Sequence, residues 1–335
     1  MEYRHLGNSG LKVSIICLGA MTFTEKGWRS AGTMKFSEIE RVVNYSIDNG
    51  VNFFDTADIY GFGESEELLG KALGNKKNNV IIATKVRGVM NENNPNCRGL
   101  SRYHIFKSID NSLKRLGRDY IDLYQVHWWD NFTPIEETLE ALNDLVRIGK
   151  VRYIGISDFS GWQIARSVTI QQMYKYTKFI SAQMYYSLLG RDIEFEVVPA
   201  CQNLGLGILA WSPLAGGFLT GKYVKNKDFP DDSRYRRMER PFLRFDLNKG
   251  FLVVEELKKI GNKYGKTPSQ VAINWIISKP FISSVIIGVR SLNQLIDNLG
   301  SVSWKMAKED IVHLDNITKP ELPYPQWFLE MFADL

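Results

Sequence analysis

The sequence predicts an α/β fold and, within that class, a (β/α)8 barrel. Three observations carry this. Eight short apolar runs rich in Val and Ile punctuate the chain, the composition of parallel strands buried on both faces. Helix-like stretches separate most of them. Sharing 335 residues among eight units leaves roughly 42 each, a strand–helix unit with insertions. A doubly wound sheet is the rival, and it usually carries a Gly-x-Gly-x-x-Gly turn after its first strand. Here Gly19 follows that strand alone, and Gly61-x-Gly63 lacks a third glycine.

The elements follow in order. Residues 1–14 read as an N-terminal β-hairpin with Asn8-Ser9-Gly10 as its turn, placed to plug the barrel bottom. Strands are expected at 15–18, 52–55, 80–84, 121–126, 151–156, 179–183, 207–210 and 284–287. Helices are expected at 36–49, 65–73, 102–116, 135–148, 161–173 and 292–299, with two more at 251–264 and 267–278 before the last strand. Ser37 with Glu40, and Thr133 with Glu136 and Glu137, read as N-terminal caps; Gly50 and Gly149 read as helix ends. Residues 212–248 form a long insertion of the kind that makes lids, and 318–335 a C-terminal tail, so the whole of 1–335 is read as one barrel domain.

Composition bounds the function. Hydrophobic residues make up 44% and charged residues 24%, the values of a globular chain able to bury its own core. Lys plus Arg exceed Asp plus Glu by 42 to 37, a net +5 that argues against nucleic acid as the main partner. Cys17, Cys97 and Cys201 have neither metal-ligand nor disulfide spacing, which fits a reducing cytoplasm. The start is polar, so no signal peptide is expected, and no apolar run approaches the ~18 residues of a membrane span. No metal is expected.

In a barrel, chemistry sits at the C-terminal ends of the strands. The second strand ends in Asp55-Thr-Ala-Asp58-Ile-Tyr60, the third in Lys85, the fourth in His127 with Trp128 and Trp129 behind it. A carboxylate, a phenol, an ammonium and an imidazole thus meet at one mouth. They make an acid system built around the phenol. A free Tyr titrates near ~10 and holds its proton too tightly. A Lys ammonium beside it favours the phenolate, a carboxylate keeps that Lys charged, and the His can donate to a substrate oxygen.

Gly50-Val-Asn-Phe-Phe-Asp55-Thr-Ala-Asp-Ile-Tyr60-Gly, Ala83-Thr-Lys85, Asp122-Leu-Tyr-Gln-Val-His127 and the N-terminal Arg4-x-Leu-Gly-x-Ser-Gly-Leu-x-Val-Ser14 resemble, in this order, the motifs of the aldo-keto reductase superfamily. The resemblance runs to about residue 300. It implies a barrel that binds a nicotinamide dinucleotide, with Asp55, Tyr60, Lys85 and His127 as the catalytic tetrad and Tyr60 as general acid in carbonyl reduction.

The resemblance also implies the cofactor contacts. Ser157, Asp158 and Gln183 fall where the family binds the nicotinamide carboxamide, although Asp158 stands where the family usually has Asn. An Asp can accept from that amide but cannot donate to it. Trp211 matches the ring that stacks on the nicotinamide. Ser212, Pro213, Leu214, Gly216 and Lys222 suit the pyrophosphate. Gly288, Arg290, Gln294, Asp297 and Asn298 fall at the adenosine end, where Arg290 suits a 2′-phosphate and favours NADPH over NADH. Of the arginines Arg234, Arg236, Arg237, Arg240 and Arg244 in the insertion, Arg234 best matches a phosphate contact of the family's channel-subunit branch.

Phe23, Trp28, Trp128 and Trp129, with Trp327 from the tail, would line an apolar pocket for aromatic or medium-sized aldehydes and ketones. An assembly of identical copies is compatible with this reading. Tyr103 and Lys107 share the spacing of another tyrosine–lysine chemistry, but the glycine-rich turn that accompanies it is missing. The alternative function is a cofactor-binding regulatory subunit like the potassium-channel β-subunits, in which Asn replaces the tetrad His; His127 argues for a working reductase.

Overall fold

The computed structural model describes residues 1–29, 31–231, 233–236 and 243–332. Two short strands, β1 (Tyr3–His5) and β2 (Lys12–Ser14), pair antiparallel as the expected hairpin. Eight strands follow: β3 (Ile16–Gly19), β4 (Phe53–Asp55), β5 (Ile81–Val86), β6 (Ile121–Val126), β7 (Val151–Ser157), β8 (Phe179–Tyr185), β9 (Gly207–Trp211) and β10 (Ile282–Gly288). They run parallel in chain order around a closed barrel, with β10 returning against β3. Each expected strand is present, shifted by a few residues at its ends.

The hairpin closes the barrel bottom. Leu6 and Val13 are buried among Cys17, Phe53, Ala83, Leu123 and Leu209. Arg4 ties it down by donating from Nη1 to the Ile282 carbonyl at 2.8 Å. Gly7 has φ +57°, and a Cβ there would lie 2.4 Å from the Ile180 carbonyl oxygen, so only glycine lets the hairpin seat this closely.

Helices cover the outside: α1 (Phe36–Asp48), α2 (Glu64–Leu73), α3 (Arg102–Leu116), α4 (Ile135–Arg147), α5 (Gly161–Met173), α6 (Val197–Leu204), α7 (Leu247–Tyr264), α8 (Pro268–Ile277), α9 (Leu292–Leu299), α10 (Lys308–Ile317) and α11 (Gln326–Glu330). Their buried faces show the 3.6-residue repeat; α4 buries Ile135, Leu139, Leu142 and Leu145. The sequence reading omits α6, α10 and α11. Of these, α6 carries Pro199 inside its first turn, and α11 has five residues.

The two expected caps are corrected. Lys35, not Ser37, precedes α1, and the Phe36 N–H donates to Glu25 Oε1 at 2.9 Å from the preceding loop. Pro134 precedes α4, and Thr133 instead donates its hydroxyl to Asp130 at 2.8 Å. An acceptor from the preceding loop replaces the local cap in one case, and a carboxylate three residues earlier captures the capping hydroxyl in the other. Gly50 (φ +83°) and Gly149 (φ +79°) do terminate their helices in the left-handed conformation.

Candidate active site

The strand period of two builds the site. Inward-facing positions run from an apolar layer to a polar one at the C-terminal end: Phe53 then Asp55, Ala83 then Lys85, Leu123 then Gln125, Ser181 then Gln183, Leu209 then Trp211. The apolar layer is roofed by this polar layer.

Lys85 is its centre and is 0% exposed. Its ammonium donates to Asp55 Oδ1 at 2.5 Å, to the Thr56 carbonyl at 2.7 Å and to Tyr60 Oη at 3.4 Å. Burial works against the charged lysine, but Asp55 and Tyr60 outweigh it and raise its pKa. The second oxygen of Asp55 accepts from Gln125 Nε2 at 3.1 Å and Gln183 Nε2 at 2.8 Å. Gln183 also reaches Gln125 Oε1 at 3.4 Å. Gly155 makes room for this chain of amides, since a Cβ there would meet Ser181 Oγ at 2.3 Å.

Tyr60 opens a tight turn whose Gly61, Phe62 and Gly63 all have positive φ. Its ring lies edge-on to His127, centroids 5.7 Å apart. Asp55, Tyr60, Lys85 and His127 therefore converge. One part of the expectation is revised: burial raises the Tyr60 pKa by more than Lys85 lowers it, so the phenol ends above its ordinary value. His127 is held well below the imidazole range by burial, then by Lys85, Arg29 and Arg87. Its Nδ1 is buried without a hydrogen-bond partner among the described residues.

On the opposite wall, Asp158 sits at φ +52° and accepts from Trp211 Nε1 at 3.0 Å. Burial pushes its carboxyl up to about 6, against the hydrogen bonds from Trp211 and Ser157. The Trp211 ring stands 5.1 Å from that of Tyr185. Ser212 (φ +52°), Ala215 (φ +47°), Gly216 (φ +66°) and Gly217 (φ +93°) form a tight left-handed turn after Pro213 and Leu214. The Ala215 and Gly217 amides already donate to the Ser212 and Leu214 carbonyls. Exposed Lys222 lies over the Tyr223 ring, its ammonium 5.3 Å from the centroid.

Arg234 lies half-buried over this mouth, and its charge acts on both Tyr60 and Arg290. Burial lowers its pKa, against the neighbouring Tyr60 and Tyr235. Arg237 and Arg240 lie outside the described residues. Gly288 is exposed at the end of β10. Gln294 accepts from the Arg290 N–H at 2.8 Å, and Asn298 is buried. Asp297 instead accepts from Thr267 at 2.9 Å and Gln270 at 3.1 Å, the residues that cap α8.

The expected pocket is brought together in part. Trp28 lies 5.2 Å from the Tyr60 ring, and Trp128 lies 4.7 Å from His127. Phe23 is corrected: it is 0% exposed and packs in the core, because the strand-end loop turns it inward. Trp129 packs against Phe159 and Trp162, away from Tyr60. Trp327 stays in the tail with Tyr324 and Phe328. The sequence reading missed Gln125, Arg29 and Arg87. Gln125 carried a signal: a polar residue amid an apolar strand, in phase with Lys85.

The profile of the aldo/keto reductase family matches residues 15–319 of this barrel. The chain belongs to that family. It is 38% identical to "Uncharacterized oxidoreductase YrpG" of Bacillus subtilis, covering 95% of this chain and 96% of that one. It is 37% identical to a probable voltage-gated potassium channel subunit beta of Oryza sativa subsp. japonica, covering 89% and 90%. It is 33% identical to versiconal hemiacetal acetate reductase of Aspergillus parasiticus, covering 97% and 99%. Membership makes an oxidoreductase the class of activity, and the family typically uses nicotinamide cofactors. Among the described residues no helix is long and apolar enough to cross a membrane, and no three or more His, Cys, Asp or Glu side chains are grouped so as to hold a metal ion.

Proposed function

We propose that this chain reduces aldehydes and ketones to alcohols with NADPH, with Tyr60 as the general acid. The observation that carries this is the buried Lys85 ammonium, neutralised by Asp55 at 2.5 Å and donating to Tyr60 Oη at 3.4 Å. A proton held by a raised phenol is present throughout the neutral range, ready to be given to a carbonyl oxygen. As it leaves, the phenolate is stabilised by the Lys85 charge in a water-poor site, where that charge acts most strongly. Neutral His127 offers a hydrogen bond to the same oxygen and orients it without surrendering a proton.

The cofactor, when bound, supplies the hydride to the carbonyl carbon. The residues around Trp211 fit it: the indole is braced by Asp158, with Ser157 and Gln183 beside it. The Gln183 amide N–H groups reach Asp55 and Gln125, which leaves its carbonyl end for a carboxamide. The turn at Gly216, with Lys222 and the half-buried Arg234, suits a pyrophosphate, and Arg290 suits the 2′-phosphate that distinguishes NADPH. Asp297, taken by the α8 cap, is the weakest of the adenosine-end positions.

Tyr60→Phe keeps the ring and deletes the proton. Loss of absorbance at 340 nm with NADPH and an aromatic aldehyde should slow by about 10²–10⁴-fold while NADPH still binds. Unchanged turnover removes Tyr60 from its role. The relative in rice is a probable channel subunit, which favours one second reading, a cofactor-binding regulatory subunit. No turnover in the wild type, with tight NADPH binding, would select it.

A further inference from the structure

The substrate side of the site holds an arc of rings with a cation at each end. Trp28 lies 5.2 Å from Tyr60, Tyr60 5.7 Å from His127, and His127 4.7 Å from Trp128. The Arg29 guanidinium stands 4.8 Å over the Trp28 ring, and the Arg87 guanidinium 4.6 Å over the Trp128 ring. An apolar pocket for a neutral carbonyl compound has no use for either cation.

Both arginines are held at a backbone cost. Arg29 has φ +51° and Arg87 φ +137°, regions that a residue with a Cβ rarely adopts. Neither has an ion-pair partner among the described residues, and Arg87 Nε is buried without a hydrogen bond. Burial lowers the Arg87 pKa, with only Asp130 opposing. Asp130 is already occupied by the Leu100 and Phe132 N–H groups at 2.8 and 3.1 Å and by the Thr133 hydroxyl at 2.8 Å. The half-buried Arg87 guanidinium, whose neighbour Asp130 is already taken by three donors, gains most from an anion beside the buried neutral histidine, and exposed Arg29 adds its charge from the other end of the arc.

We propose that the substrate of this site is a carbonyl compound bearing a carboxylate, which Arg87 holds and the Arg29 charge attracts while Tyr60 and His127 address its carbonyl oxygen. This rests on the reductase reading above. The guanidinium plane stacked on an indole keeps its N–H edge free, and that edge matches a carboxylate with two parallel hydrogen bonds. The tryptophans on either side suit an aryl or short unsaturated spacer between the two groups. The arc sits on the loops after β3, β4, β5 and β6, whereas Arg234 and Arg290, which suit the cofactor phosphates, lie after β9 and β10. The class is therefore oxo acids, aldehydic acids foremost.

The test compares 4-formylbenzoate with its methyl ester, each with NADPH. The ester is the more electron-withdrawing, so intrinsic reactivity does not favour the acid. We expect kcat/KM for the acid to exceed that for the ester by about tenfold or more at low salt, and the ratio to shrink as salt is added. Arg87→Gln should lower the ratio about tenfold, and the more exposed Arg29→Gln by less. Because the ratio is taken within one preparation, a fall in folded protein cancels. An acid no better than its ester in the wild type, or a ratio kept in both variants, overturns the proposal. NADPH oxidation with neither aldehyde would instead remove the reductase reading, and this proposal with it.

Discussion

Asp55 and Asp58 stand three residues apart after the same strand, both buried, and the barrel treats them in opposite ways. Asp55 faces inward and receives Lys85 on one oxygen and two glutamine amides on the other. Asp58 faces the layer between barrel and helices and is 1% exposed. Only the Ile59 N–H approaches its carboxyl, and no side chain among the described residues bonds to it. Its neighbour Glu66 has taken the available donors, Thr84 Oγ1 at 2.5 Å and Arg115 Nε at 2.6 Å. Burial, then Glu66, push Asp58 well above the carboxylate range. Burial beside another acid thus favours the neutral form; a buried charge requires its partners to be built with it.

The contrast can be broken by substitution. Asp55→Asn leaves Lys85 buried without its counter-charge. It should cost about 3–5 kcal/mol in urea unfolding and reduce turnover; an unchanged unfolding midpoint would mean that the pair is not what holds this layer. Gln125→Met removes one of the two amides and nothing else that touches Asp55. Its effect should be about 1–2 kcal/mol, with kcat lowered while KM for the aldehyde stays; a change in KM alone would make Gln125 a packing residue.

Asp58→Asn should have the smallest effect and the opposite sign. Below the unfolded carboxyl pKa of about 3.9 both states of the wild type are protonated. As pH rises above it the unfolded chain ionises while the folded Asp58 stays neutral, so the wild type loses stability toward neutral pH. The asparagine variant escapes that loss, so its stability relative to the wild type should rise between pH 4 and 7. A variant less stable than the wild type at pH 7 would show that Asp58 is ionised and paired.

Much of this was legible in the chain. The eight strands announce themselves because strands buried on both faces must be short and apolar, as 121–126 and 151–156 are. Asp55, Tyr60, Lys85 and His127 announce themselves because they lie at or just after the C-terminal ends of strands, where a barrel exposes side chains. Less legible were the partners. Gln125 is one polar letter in an apolar run, and it matters because β6 registers Gln125 against Lys85. Arg87 looks like a solvated charge until its guanidinium is found over Trp128. Phe23 looked like a pocket wall because loop position does not tell which way a ring turns.

The sequence by itself determined the order of elements, the closing of the barrel and the residue types at its mouth. These depend on local periodicity, on chain order and on the right-handed crossover of parallel strands. Tertiary structure alone decided which acid is charged, which glutamine braces it, and that Asp158 holds Trp211 while Asp297 is turned to the α8 cap. Those outcomes depend on distances of a few ångströms between residues such as Gln183 and Asp55, 128 positions apart. Ionisation and hydrogen bonding respond to that separation in space, which spacing along the chain does not encode.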